Sequence, residues 1–246
     1  MTAQTVFRRY ELKYLLTQGQ VDAVMQAMQP HMQPDPYGQT TLRNIYYDTP
    51  NYRIIRASLE KPVYKEKLRL RSYRPAQGED TVFAELKKKY KGVVYKRRLP
   101  MAYGPALQWL SGGAFPGEKP QIAREIDYFL AFYRELAPSM FLSYDRQAFF
   151  AADGSGFRVT FDTNILARRE EICLGAPVYG APILPEGKVL MELKCPGAMP
   201  LWMAHALCRE GLVKTPFSKY GQAYRRFIYP KYQEVAQNVQ YLPRSV

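Results

Sequence analysis

The chain has 246 residues, of which 47% are hydrophobic and 14% aromatic, enough for a packed core over most of its length. A formal charge of +13 calls for an anionic partner and leaves nucleic acid, polyphosphate, nucleotide or an anionic membrane surface open. Three widely spaced cysteines (Cys173, Cys195, Cys208) argue against a disulfide framework and a zinc site, and are expected to be small buried hydrophobes. The N-terminus lacks an apolar signal core and no stretch approaches a membrane span, so a cytoplasmic protein is expected.

In chain order, Val6 to Leu16 reads as a strand with Arg9, Glu11 and Lys13 on one face. Thr17 is placed to cap a helix running to about Gln29, which prolines end. Leu42 to Asp48 is a second strand, and Asp48 or Thr49 is expected to cap a short helix starting at Pro50.

Three basic strands follow, between Val63 and Arg98. Strand alternation puts Lys65, Lys67, Arg69 and Arg71 on one face of the first, opposite Leu68 and Leu70. Phe83, Glu85, Lys87 and Lys89 share a face in the second; Val94, Lys96 and Arg98 do so in the third. Facing like charges destabilise a sheet, so three neighbouring cationic rows imply either a solvated face or an anion held among them.

A short helix is expected from Pro105 to Leu110 and a stronger one from Gln121 to Leu136. Met140 to Phe150, Phe157 to Leu166 and Lys188 to Lys194 are strands. The middle one aligns Arg158, Thr160 and Asp162; the last aligns Leu190, Glu192 and Lys194. Helices are expected over Trp202 to Arg209 and from a Ser218 cap to Tyr229, with a polar, loosely attached tail after Tyr232. His31 and His205 lack partner spacing, and no glycine-rich phosphate loop is present. Most of the 20 tyrosines alternate with charges and fall on the core side, although some are candidates for stacking on bases.

At least seven or eight meandering strands with a few helices predict a mainly β, α+β fold: one domain over residues 1–246, built on a closed antiparallel barrel of about eight strands. The proposed inner face collects Arg9, Lys13, Lys67, Arg69, Arg71, Lys87, Lys96, Arg98 and Arg158, with Arg146 and Lys219 as further candidates, and the acids Glu11, Glu85 and Glu192. Arginine forks suit phosphate, whereas carboxylates repel it and suit Mg²⁺ or Mn²⁺; plain ion pairing is the alternative for each Glu. The pattern points to metal-assisted phosphoryl transfer inside a tunnel.

These residues resemble the triphosphate tunnel metalloenzymes, and more closely the VTC-type polyphosphate polymerase domain. The resemblance lies in Y-E-L-K-Y at Tyr10–Tyr14, L-R-L-R at Leu68–Arg71, F-A-E-L-K at Phe83–Lys87 and Y-K-R-R at Tyr95–Arg98. It continues through S-Y-D-R at Ser143–Arg146, F-R-V-T-F-D at Phe157–Asp162, M-E-L-K at Met191–Lys194 and F-S-K-Y at Phe217–Tyr220. It implies a tunnel that binds a nucleotide triphosphate and, in the polymerases, passes the γ-phosphate of ATP to a growing polyphosphate chain with Mn²⁺ preferred.

Carried over by position, Lys13, Arg69, Arg71, Lys87, Lys96, Arg146 and Arg158 match phosphate-binding positions, Glu192 the metal-binding glutamate, and Lys219 a lysine reaching in from the last helix. Arg9, Lys67, Arg98 and Lys194 are further substrate-binding candidates, and Glu11 and Glu85 further metal ligands. The implied partners are ATP or another nucleoside triphosphate and inorganic polyphosphate or pyrophosphate. Nucleic acid is not expected, and a membrane partner is compatible. One departure is R-x-E-x-K in the first strand, where the superfamily has E-x-E-x-K. It weakens a simple hydrolase reading, while retained Glu11 leaves a ligand the polymerases do not need. A triphosphatase acting on tripolyphosphate or nucleotides is therefore the second reading. A polyphosphate- or nucleotide-binding module without turnover is the third.

Overall fold

The computed structural model describes residues 6–230. The tail expected to be loosely attached lies outside them. The strands are β1 (Val6–Leu16), β2 (Met32–Pro34), β3 (Thr40–Asp48), β4 (Tyr64–Ser72), β5 (Thr81–Tyr90), β6 (Val93–Ala102), β7 (Ala137–Ala151), β8 (Arg158–Arg168), β9 (Ala181–Pro182) and β10 (Val189–Cys195). The helices are α1 (Gln18–Met28), α2 (Arg53–Leu59), α3 (Tyr103–Leu110), α4 (Gln121–Tyr133), α5 (Leu201–Arg209) and α6 (Lys219–Phe227).

All strand pairings are antiparallel. The order β7-β3-β4-β5-β6-β1-β10-β8 is joined at its ends by β7–β8 pairing, so eight strands ring a central tunnel-like space. The short strands β2 and β9, not foreseen in the sequence, extend it from β7 and β8. Residues Lys91 and Gly92, both at positive φ, form the two-residue turn between β5 and β6. That turn fixes the register Lys87↔Lys96, on which the inner face depends.

The outer faces carry the aliphatic residues that alternate with the charges. Leu68, Leu70, Val82, Ala84 and Leu86 pack against Tyr103, Trp109, Ile126 and Phe129 of α3 and α4. On the other side Tyr14, Val159, Phe161, Met191 and Leu193 pack against Val24, Met28, Met203 and Leu207 of α1 and α5. A third cluster joins Ile55 of α2 and Phe217, Tyr220 and Tyr224 of the α6 region to Tyr46, Ile165 and Leu190, on the β3, β7, β8 and β10 side of the ring.

Several boundaries moved for local reasons. The α1 cap is a reciprocal one, with Thr17 and Gln20 bonding each other's backbone. Helix α2 begins at Arg53 rather than Pro50. Asp48 stays at the strand end and reaches forward, accepting from the amides of Ile54 and Ile55, while Thr49 accepts from that of Arg53. Helix α4 stops at Tyr133 instead of Leu136 because Arg134 and Glu135 both adopt positive φ. In β8, Asn164 at φ 46° accompanies a register shift against β7. The shift keeps Ile165 in the third apolar cluster, whereas strict alternation would point it outward. The cysteines are all free, but only Cys195 is buried; Cys173 and Cys208 are exposed, contrary to expectation. His31 stacks on Trp202 at 4.5 Å, a packing role. Among the described residues no helix is long and apolar enough to cross a membrane.

Candidate functional site: a cationic tunnel

The ring turns the basic rows inward and sets them in direct register. Lys67, Lys87 and Lys96 lie opposite one another across β4, β5 and β6. One step along, Arg69, Glu85 and Arg98 form the next row. From the other wall, Lys13 faces Glu192 and Thr160, and Glu11 faces Lys194 and Arg158. Arg146 lies opposite Asp162 across β7 and β8. Lys219 enters from the first turn of α6, whose cap is Ser218.

Glu85 is the centre of the β4–β6 wall. Its carboxylate accepts from Arg69 Nε at 2.8 Å and Arg98 Nε at 2.7 Å, with Lys96 Nζ at 3.0 Å and Arg71 Nε at 3.9 Å. Burial would raise its pKa, but these four cations hold it well below the usual carboxylate range. Arg71 also donates to Asn44 Oδ1 and Tyr144 Oη, and Arg69 to Tyr46 Oη.

On the opposite wall Glu192 meets Lys194 Nζ at 3.0 Å, Lys13 Nζ at 3.4 Å and Arg146 Nη2 at 3.5 Å. Arg146 grips Asp162 with two bonds of 2.6 and 2.7 Å, and Lys219 joins the same carboxylate. Glu11 pairs with Lys87 and, at 3.5 Å, with Arg9. Burial opposes ionisation of Glu11, yet Lys87 draws its pKa down to about 2.

Four carboxylates therefore stand among twelve basic side chains, and the lysines register the imbalance. Lys67 makes no ion pair among the described residues and donates only to Ser218 Oγ at 2.9 Å. Burial, then Lys13 and Lys87, push its pKa down to about 7. Lys194 falls to about 7 through burial, with Arg146 and Arg9 acting against the pull of Glu192. Lys96 falls to about 6 through burial and the nearby guanidiniums, despite Glu85. A cavity wall that cannot keep its lysines charged by its own acids is complementary to a polyanion.

The twelve cations and three glutamates singled out in the sequence thus come to one interior, with two qualifications. Arg158 sits at the rim, where 39% of its side chain is exposed and Asp35 pairs with it at 3.1 Å. Glu85 is enclosed by cations on its own wall, whereas Glu11 lies close enough to Glu192 for that carboxylate to oppose its ionisation. Among the described residues no three metal-ligating side chains converge. Sequence reasoning missed Asp162 as an interior acid, and it missed the polar wall of Asn44, Tyr46 and Tyr144. Asp162 did alternate with Arg158 and Thr160, a usable signal; the tyrosines sat in strands without an obvious face.

A closed antiparallel ring with this interior defines a tunnel protein with a cationic lining. The chain belongs to the VTC domain family, whose model matches residues 8–228. Among solved structures it is similar to a Bacillus halodurans protein provisionally assigned as an adenylate cyclase, at 14% identity and TM-score 0.54, covering 92% of this chain and all of that one. A Vibrio parahaemolyticus protein with the same provisional assignment matches at 13% identity and TM-score 0.44, covering 90% of this chain and 99% of that one. The first likeness supports the fold. A comparison with curated proteins found no match.

Proposed function

We propose that this protein transfers a phosphoryl group from a nucleoside triphosphate, with ATP as the leading candidate, to the end of an inorganic polyphosphate chain held in the tunnel. The observation that carries this is the row Lys67–Lys87–Lys96, set in direct register beside the Arg69–Glu85–Arg98 row inside a closed ring. Family membership and the tunnel fold support the same substrate chemistry.

Arg69, Arg71 and Arg146 would fork onto phosphate oxygens, while Lys13, Lys67, Lys87, Lys96 and Lys219 offset charge along the chain. Glu85 aims the guanidiniums of Arg69 and Arg98 and Asp162 aims that of Arg146, so the donors are positioned before substrate arrives. Asn44, Tyr46 and Tyr144 orient Arg69 and Arg71 from the side. The attacking terminal phosphate oxygen is already ionised, so no general base is required.

Glu192 and Glu11 are the neighbouring carboxylates that would hold a hard divalent cation, which would displace Lys194, Lys13 and Arg146 from Glu192; Glu85 is enclosed by four cations on its own wall. Mn²⁺ or Mg²⁺ bound there would neutralise charge on the transferring group. The Glu11–Glu192 neighbourhood also favours a second reading, hydrolysis of triphosphate by water.

Phosphorus NMR with ATP and Mn²⁺ separates the readings. Polymerisation predicts growth of an internal-chain phosphate signal matched by ADP. Orthophosphate alone would move the assignment to a triphosphatase, and an unchanged spectrum would leave a binding module.

Binding itself should be proton-linked. At pH 8 Lys67, Lys194 and Lys96, with pKa values of about 7, 7 and 6, are mostly neutral in the free protein. A bound polyanion favours their charged forms, so tripolyphosphate binding at pH 8 should take up protons and weaken as pH rises from 7 to 9. Calorimetry in two buffers of different ionisation enthalpy reads this directly. Proton release on binding would show that the lysines are not the partners.

A further inference from the structure

Beyond the lining assigned above, the cationic track continues out of the tunnel. Lys65 and Lys89 occupy the next inward-facing register pair after Lys67 and Lys87, two residues or about 7 Å further along β4 and β5. Lys214 lies in the segment between α5 and α6 that the Thr215 N–H ties to the Lys13 carbonyl of β1 at 2.8 Å, and it completes a triad, close enough to Lys89 to oppose its protonation. Burial falls along this path: Lys65 and Lys89 are partly buried and Lys214 is exposed.

These lysines differ from their interior neighbours in one respect. None of the three forms an ion pair among the described residues; Lys65 donates only to the carbonyl of Ser58, at 3.1 Å. The opposite rim is different, because there Arg158 is matched by Asp35, Arg98 by Glu85 and Arg9 by Glu11. Burial first, then neighbouring lysines, push the pKa values of Lys65 and Lys89 down. Glu11 acts against this at Lys89 without forming an ion pair with it; lysines crowded with so little compensation cost stability unless an anion bridges them.

We infer that Lys65, Lys89 and Lys214 form a second phosphate-binding site at this rim, joined to the interior through Lys67, which holds the distal part of a polyphosphate chain. The inference rests on the proposed function and adds a polarity to it: the chain lies towards the β4–β5 rim and the acid-paired rim receives the nucleotide. Point-charge lysines suit a sliding chain, because they impose no bidentate geometry.

The test compares two ligands on two proteins by calorimetry. The variant is Lys65→Gln/Lys89→Gln/Lys214→Gln, with Lys→Arg at the same positions to restore charge. Tripolyphosphate is short enough to be held by the interior, so its affinity should change less than about threefold. A polyphosphate of several tens of phosphates should bind the Gln variant about tenfold or more weakly, with a shallower salt dependence, and the Arg variant should recover.

Equal losses for both ligands would overturn the second site by making these residues part of the first, and unchanged long-chain affinity would reduce them to a solvated rim. Loss of wild-type adhesion to anionic phospholipid vesicles, with long-chain affinity intact, would assign the lysines to a lipid headgroup instead and also overturn the inference. If neither phosphate ligand binds the wild-type protein, the proposed function itself fails, a result distinct from the others.

Discussion

Replacing Glu85 with Gln should destabilise the protein by about 3–5 kcal/mol, since a buried ion-pair network loses its anion while its cations remain. Arg69 and Arg98 would keep their charges around a neutral amide, with Arg71 just beyond and Lys96 stripped of its acidic partner. For a chain of this size the loss corresponds to a melting temperature lower by on the order of 10 °C. The same substitution should enlarge the stabilisation that tripolyphosphate gives, because the ligand supplies the missing negative charge.

The linked pH dependence has a defined sign. The folded pKa of Glu85 is depressed, so its contribution is present above the ordinary carboxylate pKa and is lost as pH falls through the acid range. Thermal melts of both proteins, with and without tripolyphosphate, check all three statements. A variant as stable as wild type would mean that the four-cation cage is solvated and weak.

The second large effect concerns Glu192→Gln. Turnover should fall by at least about 10²–10³, the scale seen when one preorganised electrostatic group is removed from a reaction centre. Tripolyphosphate binding should persist or tighten, because a repulsive charge has gone while Lys13, Arg146 and Lys194 remain. Measuring kcat beside a calorimetric affinity separates these effects. Activity within tenfold of wild type would remove Glu192 from the metal role. A parallel collapse of binding would make it a structural partner of its cations. Asp162→Asn is the useful comparison: it also frees Arg146 and Lys219, but on a carboxylate already saturated by them.

Much of this interior was legible because strand geometry has a strict period of two. Once Val63–Arg98 reads as three strands, Lys67, Arg69 and Arg71 must share a face, as must Glu85 with Lys87 and Lys96 with Arg98. The aliphatic residues between them force that face inward, since Leu68, Leu70 and Leu86 need the helices outside. The ring fits the pattern too, because a meander of about eight antiparallel strands removes its edges by closing on itself.

What stayed hidden depends on register between strands distant in sequence. Asp162 meets Arg146 only because β7 and β8 close the ring with those positions opposite. No local spacing announces that pairing. Asn44 and Tyr46 lie in a strand whose two faces both read as mixed, so alternation alone gave them no direction. Asp35 reaches Arg158 from the turn after β2, a strand of three residues too short to register as a pattern. The start of α2 was misplaced because its amides are satisfied from six and seven residues upstream by Asp48, outside the usual capping distance.

The most direct test of the central claim is a crystal structure with tripolyphosphate and Mn²⁺. The account predicts phosphate oxygens inside the ring, against Lys67, Lys87 and Lys96 on one wall and Arg146 and Lys219 on the other, with the metal at Glu192. Phosphates bound only to the outer surface, with the Glu85 and Asp162 ion pairs unchanged around an empty ring, would contradict it.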